Sequence, residues 1–447
     1  MVEQSHCHRE FVMTQAARCR VYKFGGASIR DADAIRRLGS LLAEKAPRPR
    51  AMVVSAMGKT TNALEALLRA AREQDEAGYR HRLTAIREDH LGVAEALFGP
   101  GSSVADALEQ RLAELDAAHA AHREAPYPFH YDQTVGMGEL LSTTLVAAWL
   151  NAVGVATRWC DARALIVTDE HHQAAEIDWA TTRERIASLA AECDEVLLTQ
   201  GFIGATARGA MTTLGREGSD FSAAILAEAL GADELTIWKD VPGLFNADPR
   251  RFANARQIPR LSYAEALEQT WHGAKVIHPR TLAPLQRAGI PLTVRSFLDP
   301  EAPPSTIGPE AGEGDRQPAF MLRDDQVLLD IAPRDGGFLD EALVAEVLAR
   351  LGEADLHANL LDIEALRLRL VVDHRPERLD PLGDTLAERF ALSRHDGLVL
   401  LTVRHPDEAL MAALDAHRSR LVVRCNATTA QRLYPAAECP ATWQIPD

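Results

Sequence analysis

Residues 20–28, Arg20-Val21-Tyr22-Lys23-Phe24-Gly25-Gly26-Ala27-Ser28, decide the reading of this chain. The first five suit a short strand, and the glycine pair breaks it. Residues 31–46 then place Ala34, Ile35, Leu38, Leu41 and Leu42 at helical spacing. Strand, glycine turn and helix in that order let backbone amides approach an anion, with the partial positive charge of a helix start behind them. Lys23, just before the glycines, is placed to neutralise charge on a phosphoryl group. The segment is not a Walker A loop, because Gly-Lys-Ser/Thr is missing. Taken alone, it also fits an ordinary tight turn.

Working outward, Met52-Val53-Val54-Ser55 reads as a second strand. Residues 61–122 read as a helical excursion broken at Gly78 and at Gly99-Pro100-Gly101. A helix is expected from Met137 to Leu150, then a strand near 155–160. Glu195 to Thr199 is a buried strand ending in Gln200-Gly201, and Ser219 to Leu230 a helix with Phe221, Ile225 and Ala229 on one face. Glu234 to Trp238 is another strand, Ser262 to Thr270 a helix, and Pro291 to Phe297 a strand. Strands alternating with helices predict an α/β fold, a mostly parallel sheet sandwiched by helices. Ligands of such sheets bind beyond the carboxyl ends of the strands, which singles out the loops after Lys23, Ser55, Thr199 and Lys239.

Residues 299–319, rich in Pro, Gly and Glu, read as a linker. Beyond it the elements shorten: a strand at 327–331, a helix at 338–351, a strand at 366–372, a helix near 380–390, a strand at 398–403, a helix at 407–417 and a strand at 420–424. That alternation predicts a C-terminal α+β pair of ferredoxin-like modules. The expected organisation is a leader (1–19), a catalytic domain (20–298), the linker (299–319) and a C-terminal domain (320–447).

Composition narrows the functional classes. The 447 residues carry a net charge of −16, which disfavours general attraction to nucleic acid or anionic membrane. No stretch nears 18 uncharged apolar residues, so no membrane span is expected. The first 18 residues lack the apolar core of a secretory signal, and Met13 is an alternative start. Six scattered cysteines without a CxxC pair fit free thiols in a reducing cytoplasm. Cys7 between His6 and His8 lacks a second ligand cluster, so no metal site is expected. His171 and His172 read as a solvated pair. Of 48 basic residues, only Lys23, Lys45, Lys59, Lys239 and Lys275 are lysines, so the retained lysines merit inspection.

Three further segments carry chemistry. In Leu214-Gly215-Arg216-Glu217-Gly218-Ser219-Asp220, Arg216 can fork onto a carboxylate. Ser219 and Asp220 fall in the first helical turn, where such residues also act as plain caps. Trp238-Lys239-Asp240-Val241-Pro242-Gly243-Leu244-Phe245-Asn246-Ala247-Asp248-Pro249-Arg250 could hold an adenosine and its phosphates, or be a turn-rich surface connection. His272-Gly273-Ala274-Lys275-Val276 sets a lysine beside a glycine.

Together with Val54-Ser55-Ala56-Met57-Gly58-Lys59-Thr60-Thr61-Asn62 and Gly138-Glu139-Leu140-Leu141-Ser142, these segments match, in order over residues 20–300, the motifs of aspartate kinases of the amino-acid kinase family. The resemblance implies transfer of the γ-phosphoryl of MgATP to the side-chain carboxylate of L-aspartate, giving 4-phospho-L-aspartate. Lys23 resembles the lysine that stabilises the transferring phosphoryl, and Asp220 the residue that orients it. Arg216 looks like the clamp on the substrate α-carboxylate, and Glu139 like the acceptor for its ammonium. Ser55, Thr61 and Ser219 are similar to residues that add hydrogen bonds to substrate. Gly25, Gly26, Lys239, Asp240, Phe245, Arg250 and Lys275 match nucleotide-binding stretches, with Mg²⁺ carried on ATP phosphates and water.

This chain departs from many relatives in three places: Lys239 for Thr, Phe245 for Tyr, and Glu217 for Gly. The C-terminal part resembles paired ACT domains. Gly337-Phe338-Leu339 resembles an effector turn, and Leu356-His357-Ala358-Asn359-Leu360-Leu361 the strand after it. Phe338, Leu339 and Asn359 are thus the candidate effector contacts, lysine or threonine inhibition is the family expectation, and a homodimer or higher oligomer through this domain is implied. The competing readings are a related amino-acid kinase with another substrate and a non-catalytic amino-acid sensor.

Overall fold

The computed structural model describes residues 18–274, 277–416 and 419–446. The expected leader therefore lies almost wholly outside the described residues, and so does Lys275. The chain divides after Trp238 into two units.

In the first unit, β1 (Arg20–Phe24) leads through a short turn at Gly26–Ile29 into α1 (Ala32–Ser40), capped by Asp31 through Ala34 N–H at 2.7 Å. Then follow β2 (Ala51–Val54), α2 (Thr60–Arg72), α3 (Glu76–Phe98) and α4 (Ser103–His122). The break expected at Gly78 falls earlier, because the Asp75 carboxylate caps α3 through the Gly78 amide at 2.9 Å. Next come α5 (Tyr127–Val135), which the sequence pattern did not suggest, α6 (Met137–Ala152), β3 (Thr157–Cys160) and α7 (Ala162–Leu165). The unit closes with β4 (Val167–Thr168), α8 (Trp179–Ala191), β5 (Val196–Gln200), β6 (Ile203–Thr206), β7 (Met211–Thr213), α9 (Gly218–Ala229) and β8 (Glu234–Lys239).

Strands β8, β1, β2, β5 and β3 lie side by side in that order, all parallel. Every residue of β2 and β5 is buried, as a sheet covered by helices on both faces requires. Phe24 stacks on Trp238 at 5.9 Å, locking β1 to β8. With all strands parallel, Lys23, Ser55 and Gly201 reach the same edge. A small sheet of β4, β6 and β7 stands apart.

In the second unit, β9 (Leu244–Phe245) pairs with β10 (Gln257–Ile258). After β11 (Arg260–Ser262) come α10 (Tyr263–Trp271), α11 (Pro279–Ala288), β12 (Leu292–Ser296) and β13 (Ser305–Gly308). The stretch 299–319 is therefore more than a linker: β13 pairs with β11 and β12, and Ser305 and Ile307 are wholly buried. Four strand residues among prolines and glycines are too few to show periodicity.

The C-terminal part runs β14 (Ala319–Pro333), α12 (Glu341–Glu353), β15 (Ala358–Ile363), β16 (Leu368–Asp373), α13 (Pro376–Ala387), β17 (Phe390–Arg404), α14 (Glu408–Asp415), β18 (Val422–Cys425) and β19 (Thr429–Pro435). It forms one antiparallel sheet in the order β15, β16, β14, β17, β19, β18. The short strands expected at 327–331 and 398–403 are segments of two 15-residue strands, β14 and β17, that run through both halves. A core of Val327, Leu329, Val347, Leu370, Leu379 and Phe390 fills one half.

Candidate active site

The first unit holds a cavity of about 530 Å³ at the carboxyl edge of its sheet. Lys23, Ser55, Thr61, Glu139, Arg216, Ser219 and Asp220, seven residues singled out in the sequence, all line it. All but Arg216, which stands on the loop between β7 and α9, come from at or beside the end of a regular element. Lys23 ends β1, Ser55 follows β2, Thr61 opens α2, Glu139 sits in the first turn of α6, and Asp220 in the first turn of α9.

Lys23 Nζ lies 2.7 Å from Asp220 Oδ1, and both side chains are nearly buried. Asp220 and Ser219 are not the caps of α9: its N-cap is Glu217, with no side-chain capping bond. Glu217 has φ 54, in the left-handed region that favours glycine. Glu139 is the most unusual group. Its Oε1 accepts from the Ala56 amide at 3.2 Å, while Oε2 is buried and has no hydrogen-bond partner among the described residues. Burial pushes its carboxyl up to about 8, opposed by the Ala56 amide and the Lys23 charge. An orphan carboxylate oxygen in a cavity fits a cationic ligand group. Arg216 is exposed and brings a guanidinium to the same space.

Gly25 and Gly26 sit beside Lys23 but line neither this cavity nor the next. Gly26 is required by close approach: a Cβ there would lie 2.7 Å from the Ala56 carbonyl oxygen. Gly201 is required likewise, since its Cβ would lie 2.5 Å from Ser219 Cβ.

Several wall residues escaped the sequence reading. Phe202 lines the cavity with φ 69, a strained conformation for an aromatic residue, and its amide donates to Ser222 Oγ at 3.0 Å. Its place after Gln200-Gly201, at a strand end, was the available signal. Tyr131, Gln173 and Thr213 also line the cavity, and fully buried Asp132 ties two of them together. Asp132 accepts from Thr213 Oγ1 at 2.6 Å and from the Gln173 amide at 3.2 Å, and pairs with His172 Nδ1 at 2.7 Å. His172 is therefore not solvated as expected; its ring is held by a buried carboxylate.

The second unit holds a cavity of about 780 Å³ lined by Lys239, Asp240, Phe245 and Arg250, together with Gly273, Ala274, Gln269 and the β14 residues Phe320, Met321, Leu322 and Asp324. Four of the expected nucleotide-binding residues thus meet around one space. The Arg250 guanidinium turns to Asp248 at 2.8 Å and stays largely exposed. Phe245 pairs with Gln257 in the β9–β10 hairpin, and Ser305 Oγ of β13 accepts from the Leu244 amide at 2.8 Å.

The candidate effector residues have divergent settings. Phe338 is 78% exposed, Leu339 is packed into the core, and the Asn359 amide donates to Gln326 Oε1 at 2.8 Å and Asp373 Oδ1 at 2.9 Å. Only Phe338 presents its side chain to solvent.

The chain belongs to the amino acid kinase family, whose model matches residues 18–296. It is 35% identical over 390 residues to the lysine-sensitive aspartokinase 3 of Escherichia coli (strain K12), covering 86% of this chain and 84% of that protein. Its structure resembles that of E. coli aspartokinase III in complex with aspartate and ADP, the R-state, with TM-score 0.78, 30% identity, and coverage of 94% of this chain and 97% of that one. It resembles equally the complex of the E. coli enzyme with lysine and aspartate, the T-state, with TM-score 0.78, 30% identity, and coverage of 94% and 96%. Among the described residues, no helix is long and apolar enough to cross a membrane.

Proposed function

We propose that the protein is an aspartate kinase, which transfers the γ-phosphoryl group of ATP to the side-chain carboxylate of L-aspartate and releases 4-phospho-L-aspartate and ADP. The observation that carries this reading is the arrangement of one cavity: a buried Lys23–Asp220 pair, the orphan Oε2 of Glu139 and the guanidinium of Arg216. Arg216 clamps the α-carboxylate, Glu139 takes the α-ammonium, and Ser55, Thr61 and Ser219 add hydrogen bonds. That leaves the side-chain carboxylate to attack phosphorus. It is ionised at neutral pH, so no general base is required. Lys23 neutralises charge gathering on the transferring group, and Asp220 holds the ammonium in place.

ATP binds through the second-unit loop, with Phe245 packing against the base and Lys239 and Arg250 facing phosphates. Phe245 lacks a tyrosine hydroxyl, so its contact is packing alone. Magnesium carried on the phosphates would neutralise part of their charge, and the exposed carboxylate of Asp240 on the cavity wall would help to hold it.

The layout of catalytic residues 20–298 and C-terminal residues 320–447 belongs to the same proposal. The C-terminal part is an ACT-type domain that binds an amino-acid effector and joins a homodimer or larger assembly. The exposed apolar side chains of Phe338, Ile363 and Leu366 support this. The enzyme works in the cytoplasm, at the entry to lysine, threonine and methionine synthesis.

Trapping acyl phosphate with hydroxylamine tests the activity. Product with aspartate and ATP is expected; product only with another amino acid points to a sister kinase, and none with any to a sensor. An inhibition panel with lysine, threonine and methionine identifies the effector.

A further inference from the structure

The loop that carries the nucleotide-cavity residues is short of regular structure. Its strands β9 and β10 are two residues each, and residues 246–256 between them form turns. What shapes it comes from the far end of the chain. Trp443 N–H donates to the Arg251 carbonyl at 2.6 Å, and Ala253 N–H donates to the Trp443 carbonyl at 3.2 Å, forming a strand-like bridge at Phe252. Two residues on, Ile445 N–H donates to Asn254 Oδ1 at 2.9 Å, and Asn254 Nδ2 donates to the Ile445 carbonyl at 2.8 Å. The Trp443 indole is 1% exposed, 6.1 Å from the rings of both Phe252 and Tyr434. Phe252 also packs on Phe320, and both line the nucleotide cavity.

We infer that residues 443–445 are a built-in part of the nucleotide site: the C-terminal segment clamps the loop at 246–254 and so sets affinity for ATP. The inference rests on the reading of the second-unit cavity as the ATP site. Trp443 is a positioning residue that acts through Phe252 and Arg251. Its core also includes Leu401 and Val403 of β17, Leu410 and Met411 of α14, and Ala430 of β19, so the loop shares one packed cluster with the C-terminal sheet. A shift in that sheet has a direct route to the ATP loop.

The test uses the full chain with Trp443→Ala, Trp443→Phe and Asn254→Ala, measuring both substrates' KM values and amide hydrogen exchange of residues 246–255 without ligand. Loss of preorganisation should raise the KM for MgATP roughly tenfold in Trp443→Ala, with aspartate KM within about twofold. Trp443→Phe should restore most of it. Asn254→Ala, which keeps the aromatic core, should raise it about threefold by losing the two bonds to Ile445. Faster exchange should accompany each rise. A purely structural role would lower the active fraction and leave both KM values alone. Unchanged exchange, or faster exchange with unchanged KM for MgATP, overturns the clamp. Phe245→Ala is the control: if it leaves KM for MgATP unchanged, the reading of the cavity fails rather than the clamp.

Discussion

The two cavities are built by opposite means. In the first unit, the key side chains stand on strand ends and first helical turns, fixed by the sheet and by buried partners. Lys23 and Asp220 are nearly buried and Glu139 wholly so. In the second unit, Asp240 and Arg250 stand on irregular loop segments; Arg250 is 79% exposed, and the anchors of its loop, through Asn254, lie up to 191 residues away in sequence. A site on regular elements holds charges at fixed distances in a low dielectric, which suits stabilising a transition state. A site on a pinned loop can alter its fit when the pin moves, which suits control of affinity. Substitutions in the first cavity should therefore affect turnover and aspartate, and those in the second ATP affinity.

The largest effect should come from Lys23→Ala. Loss of its charge should cut kcat by about a thousandfold. The KM for aspartate should stay within a few-fold, since that charge matters most at the transition state. Normal turnover in a folded variant breaks the contrast at its root. Next, Arg216→Ala should raise the KM for aspartate by about 10- to 100-fold through loss of a charge-assisted bond. A rise in the KM for MgATP instead would exchange the roles of the cavities.

Glu139 gives a pH signature. With its carboxyl at about 8, the ligand-free site is mostly protonated at neutral pH, yet the substrate ammonium needs the carboxylate. Affinity for aspartate should rise with pH up to about 8, and at pH 7 be about tenfold below its plateau. Glu139→Gln should bind weakly and lose this rise; a flat profile in the unsubstituted protein counts against the assignment. The same shift fixes the sign for stability. The folded carboxyl binds its proton more tightly than the unfolded one, so ligand-free stability should fall as pH climbs from the usual carboxylate range to about 8. The smallest effect should be Glu217→Gly. Relieving a left-handed backbone at φ 54 should stabilise the protein by about 1 kcal/mol. Thermal unfolding measures it, and a lower Tm would show that the Glu217 side chain holds α9 in place.

Much of the first cavity was legible in the sequence, because its motifs coincide with element ends that glycines and helical spacing mark. Lys23, Arg216 and Asp220 were legible from such segments, and Glu139 only through the resemblance that Gly138-Glu139-Leu140-Leu141-Ser142 carries. Tyr131, Gln173 and Thr213 were not, because they are gathered by Asp132, whose importance shows only once it is buried. Helix α5 escaped because Pro126 and Pro128 mark a break as readily as a helix start. In the C-terminal part, antiparallel pairing extended the short strands expected at 327–331 and 398–403 into β14 and β17, and the register shifts near Arg323 and Gln326 interrupt the alternation of β14.

The sequence by itself determined the parallel α/β architecture and the residues at its strand ends, because propensity, glycine turns and helix starts act over a few residues. Tertiary structure alone decided their charges and supports. Burial raised Glu139, Asp220 was brought to Lys23, and Trp443 to the loop at Phe252. Desolvation and long-range pairing depend on which distant groups share a space, and no local pattern encodes that.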